Sequence, residues 1–99
     1  MSDKRALFIL SQGPGHCDLG RHVALARSTG GAGAVIWGDG AYLLIDDHLA
    51  PLRAAGVSLF ALRDSVEARG LTDRVGKDVR MVDYHQVVDL VMDEYDVVL

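Results

Sequence analysis

Four short apolar runs recur along the chain, each closed by turn residues: ALFIL at 6–10, AVIW at 34–37, VSLFAL at 57–62 and the less apolar VRMV at 79–82. Runs of this length without polar alternation are too short for helices of their own and read as strands buried on both faces. The segments between them carry helical signals. Leu19, Val23 and Ala26 share one face of a helix over 18–29, which the glycine-rich stretch at 30–33 ends. Residues 41–45 read as an apolar helical turn, and Pro51 suits the first turn of a short helix running from Leu49 to Gly56. Asp64 and Glu67 have the spacing of a capping box, with Gly70 stopping the helix they begin. Tyr84, Val87, Val88, Val91 and Met92 mark the clearest helix, and residues 96–99 can add a last strand.

Strands alternating with helices imply parallel pairing through right-handed crossovers. The expected fold is therefore α/β: one domain over residues 1–99, a small three-layer sandwich around a mostly parallel sheet of four to five strands. The fourth run, being the least apolar, belongs near an edge. Leu7, Ile9, Val35, Ile36, Leu59 and Ala61 should be buried in the sheet. In such sheets chemistry gathers beyond the carboxyl ends of the strands. That rule selects 11–17, 38–42, Arg63 with Asp64, and Asp83 with Tyr84.

Composition narrows the function classes. The formal net charge of −4 argues against direct, tight nucleic-acid binding. No apolar run approaches the ~20 residues that span a bilayer, and the charged start, Met1 to Arg5, does not read as a signal peptide. A single cysteine excludes an internal disulfide and fits a reducing compartment.

Cys17 is the first chemical candidate. It sits at the start of the expected helix, where the dipole favours thiolate and His16 can add positive charge. Asp18 acts in the opposite direction. The commoner fate of such a residue is an inert, buried thiol. The loop Gly13-Pro14-Gly15 lacks the third glycine of a dinucleotide fingerprint, since position 18 is aspartate. His16, Cys17, His22 and His48 lack zinc-motif spacing, so no metal and no cofactor is expected.

Three separated motifs remain. They are W-G-D-G-A-Y at 37–42, L-F-A-L-R-D-S-V-E-A-R-G-L at 59–71, and V-D-Y continuing to V-D-L between 82 and 90. Together they resemble the DsrH/TusB family, from about Leu7 to Leu99. The resemblance implies a DsrE/DsrF/DsrH-like fold and the smallest subunit of a cytoplasmic sulfur-relay complex. Its partners would be two homologous subunits, in a heterohexamer, together with sulfur donor and acceptor proteins. It would be a sulfurtransferase subunit more than an independent catalyst. In one branch such complexes pass persulfide sulfur toward 2-thiolation of a tRNA wobble uridine; in the other they serve dissimilatory sulfite reductase. A stand-alone binding module of the same fold is a further possibility.

Sulfur-oxidising members carry a cysteine inside the first helix, near Val23, whereas Cys17 precedes it. Cys17 therefore inherits no role by alignment. His16, Asp39, Tyr42, Asp64 and Tyr84 are the accompanying candidates for a site edge or interface.

Overall fold

The computed structural model describes residues 4–99; the charged start at 1–3 lies outside them. Five strands form one sheet: β1 (Arg5–Leu10), β2 (Gly31–Ile36), β3 (Ser58–Leu62), β4 (Val79–Val82) and β5 (Val97–Val98). Their order is β4-β3-β2-β1-β5, and every pairing is parallel. Leu10 stands opposite Ile36, and Ile36 opposite Ala61, so the carboxyl ends align on one side.

The first three crossovers advance in one direction, so right-handedness stacks their helices on one face. These are α1 (Leu19–Arg27), a 3-10 helix (Gly38–Leu44), α2 (Ala50–Ala54) and α3 (Arg63–Ala68). The last crossover jumps back from β4 to the outside of β1. Its helix, α4 (Tyr84–Asp89) with a π turn (Leu90–Glu94), therefore lies on the opposite face.

Two cores result. Phe8, Leu10, Ala34, Ile36, Leu52 and Val66 fill the first, while Leu7, Val35, Phe60, Leu62, Val87 and Tyr95 fill the second. Of the six expected sheet residues, five are buried; Ile9 is half-covered, because α4 alone must shield that face of five strands. No described helix is long and apolar enough to cross a membrane.

Several boundaries differ from expectation. The 30–33 stretch does not simply end α1: Gly31 to Gly33 already pair with β1. Ser28 and Thr29 end the helix instead, their hydroxyls donating to the carbonyls of Leu25 and Ala26 at 2.8 and 2.7 Å. Gly33 is needed inside the strand because the Tyr95 ring lies directly over it.

The capping box expected at Asp64 is absent. Strand β3 runs into α3 without a loop, so the cap position falls on Leu62 and Asp64 lies in the first turn. The capping box is at Asp83 instead. Its carboxylate accepts from the Gln86 N–H at 2.7 Å, and the Gln86 side chain accepts from the Asp83 N–H at 2.9 Å.

Candidate functional site

The loop leaving β1 turns tightly, His16 N–H donating to the Gly13 carbonyl at 3.1 Å. Asp18 then caps α1, accepting from the Arg21 N–H at 3.0 Å. Cys17 thus lies one residue ahead of the cap, in a cleft of about 230 Å³ bordered by Ile9, Ser11, Gln12, His16 and Arg21. This cleft lies at the carboxyl end of β1, the side on which open α/β sheets form crevices.

Cys17 is half-buried against the first core. Burial raises its pKa, and the neighbouring Asp18 carboxylate raises it further. The opposing influences expected from the sequence therefore resolve toward the thiol. The cap that completes the helix start is itself the anion that disfavours thiolate. His16 is exposed, and no hydrogen bond joins it to Cys17 among the described residues.

Alkylation of Cys17 should accordingly have a pH midpoint above that of free cysteine, measured with iodoacetamide and quantified by mass. The sign also predicts a stability trend. In the window between the ordinary thiol pKa and the raised one, the unfolded chain has lost a proton that the folded chain retains, so stability falls as pH rises.

A second group occupies the neighbouring loops. Asp39 Oδ1 accepts from Arg69 Nε and Nη2 at 3.2 and 2.9 Å, while Arg69 Nη1 donates to the Ser65 carbonyl at 3.1 Å. The Arg69 guanidinium lies 6.0 Å from the Tyr42 ring centroid. Ser65, buried, accepts from the Gly38 N–H through its hydroxyl at 2.8 Å. The turn after β2 is thereby tied to α3. Trp37 and Tyr84 meet edge to face, with centroids 5.7 Å apart, and link the end of β2 to the start of α4.

One glycine brings these loops into close approach: a β-carbon at Gly40 would enter the Leu10 carbonyl, whereas one at Gly13 would make an ordinary contact with the Asp39 carbonyl at 3.4 Å.

The structure therefore gathers Asp39 and Tyr42 around Arg69, and sets Tyr84 on Trp37. Cys17 and His16 form the adjoining cleft. Asp64 stands apart on the exposed first turn of α3. Arg69, Ser65 and Trp37 were not singled out from the sequence. Their partners lie up to 47 positions away, so no local spacing revealed them, although each belongs to one of the three motifs.

Chemically, Asp39 is engaged by Arg69, and Cys17 shares its cleft with His16, Asp18 and His22. Among the described residues, no three His, Cys, Asp or Glu side chains converge as metal ligands.

A family profile described as "DsrH like protein" matches residues 17–97. Protein TusB of Serratia proteamaculans is 39% identical over 87 residues, 85% of this chain and 88% of its own length. Protein TusB of Pectobacterium parmentieri is 37% identical over 90 residues, 88% of this chain and 92% of its own. The solution NMR structure of protein Tm0979 from Thermotoga maritima superposes with a TM-score of 0.61 at 22% identity. It covers 90% of this chain and 93% of that one, a likeness of fold.

Proposed function

Because the chain belongs to the DsrH/TusB family, we propose that it is a subunit of a cytoplasmic sulfurtransferase complex. The complex passes persulfide sulfur between proteins together with two homologous subunits, toward 2-thiolation of a tRNA wobble uridine. The observation that carries this reading is the near full-length similarity to proteins named TusB. That similarity also favours the tRNA branch over service to sulfite reductase.

The site suits a supporting subunit. The pKa of Cys17 is raised, which leaves little thiolate at neutral pH to accept sulfur. The acidic balance of the chain supports RNA contact through a partner rather than through this subunit.

The test is genetic and chemical. Deleting the gene in its native host should lower 2-thiouridine in hydrolysed tRNA, as read by mass spectrometry. Wild-type and Cys17→Ser chains should restore it equally. Unchanged 2-thiouridine in the deletion strain would remove the tRNA branch. Failure of Cys17→Ser alone, with the variant still assembled, would make Cys17 a relay nucleophile.

A further inference from the structure

We infer that the surface formed by α4, its π turn and β5 docks one of the homologous subunits through an apolar strip rimmed by lysine and arginine, and does not pair with a second copy of this chain. The inference rests on the relay-subunit reading and adds the face and the chemistry of the partner.

The apolar component is concentrated. Of the exposed large hydrophobic side chains among the described residues, all but Tyr42 lie between Tyr84 and Leu99. Tyr84, Val88 and Met92, four residues apart, are 63%, 41% and 73% exposed. The π turn, closed by the Tyr95 N–H donating to the Leu90 carbonyl at 3.1 Å, widens the helix and keeps Met92 in line with the other two.

The two flanks of α4 differ. Gln86, Asp89 and Asp93 border a groove of about 400 Å³ against Arg80 and Val82 of β4. Away from that groove Tyr84 packs on Trp37, and Ile9 and Trp37 are only partly covered over the second core. One helix over five strands leaves that part of the sheet short of cover. Val97 and Val98 extend the apolar surface along an edge strand, where exposed hydrophobic residues invite pairing.

Charge selects the occupant. Residues 83–99 hold five carboxylates, at Asp83, Asp89, Asp93, Glu94 and Asp96, and neither lysine nor arginine. Asp83 caps α4 and Asp96 accepts from the Arg5 N–H at 2.8 Å, while Asp89, Asp93 and Glu94 are exposed along the helix, with Arg80 of β4 across the groove. This segment alone is more acidic than the chain's net charge of −4. A self-complementary dimer through this face would oppose like charges. A basic rim on the partner would neutralise them, while its apolar strip covers Val88 and Met92.

The experiment co-expresses the full chain with the two homologous subunits and measures the dissociation constant between them across a salt series. Val88→Glu with Met92→Glu should weaken assembly about tenfold or more. Both positions are exposed, so the fold is retained; circular dichroism checks this. Asp89→Lys with Asp93→Lys should weaken assembly at low salt and flatten its salt dependence. Ala24→Glu, on exposed α1, should leave assembly unchanged. Assembly indifferent to both α4 variants would overturn the docking face while leaving the relay reading in place. No assembly of the wild-type chain with either subunit would overturn both. A wild-type homodimer dissolved by Val88→Glu with Met92→Glu would overturn the choice of partner.

Discussion

Gly40→Ala should destabilise the chain by about 3 kcal/mol, one of the largest effects available from a single methyl group. The added carbon has nowhere to go, because it meets the Leu10 carbonyl, a backbone atom held in the β1–β2 ladder. Relief would require separating the carboxyl ends of β1 and β2. That separation would also disturb the turn whose Asp39 holds Arg69. Gly38 is the internal control. Its φ of +54° penalises a side chain, but a β-carbon there meets nothing, so Gly38→Ala should cost only about 1–2 kcal/mol. Urea titrations of the two variants check the ranking. Equal costs would mean that backbone conformation, not the close approach, sets the requirement at this turn.

Tyr95→Ala should cost about 3–5 kcal/mol, the range for emptying a large buried aromatic site. Tyr95 is buried in the second core, its ring crosses Gly33, and the Arg5 guanidinium sits 4.8 Å from its centroid. The same geometry predicts a coupling. Gly33→Ala drives a methyl group into the Tyr95 ring and should be destabilising alone. Combined with Tyr95→Leu, part of that cost should disappear, giving an interaction energy of about 1 kcal/mol or more. A double-mutant cycle by denaturant unfolding measures it. Strict additivity would mean that the ring and the glycine do not constrain each other.

These two sites show where sequence reasoning stops. The strand runs, the parallel pairing, the edge position of β4 and the Pro51 helix were all legible, because each rests on residues adjacent or a few apart. The glycine-rich stretch at 30–33 was not legible as strand. Read locally it breaks a helix. In the fold it pairs with β1 and clears space for an aromatic ring more than 60 positions later. Asp64 was misplaced for a related reason. Asp64 and Glu67 fit the local pattern of a cap, but β3 passes straight into α3 and leaves the cap position to Leu62. The true capping box, Asp83 with Gln86, carried the same spacing signal and was overlooked.

The candidate site divides along the same line. Sequence alone determined which loops lie at the carboxyl edge, since the order of strands and helices dictates it, and it identified Cys17, Asp39, Tyr42 and Tyr84 among them. Tertiary structure decided what those residues do. It closed Asp39 onto Arg69 across 30 positions and set Tyr84 on Trp37. It also half-buried Cys17 beside the carboxylate that caps α1, raising its pKa where the helix dipole alone would have lowered it. The apolar spacing of the last helix was visible from the start, yet only the fold showed that Val87 and Leu90 are buried while Tyr84, Val88 and Met92 face outward. Periodicity reports that a helix has an apolar stripe. Which part of that stripe meets the sheet depends on how many strands one helix must cover, and that is settled only when the crossovers have chosen their faces.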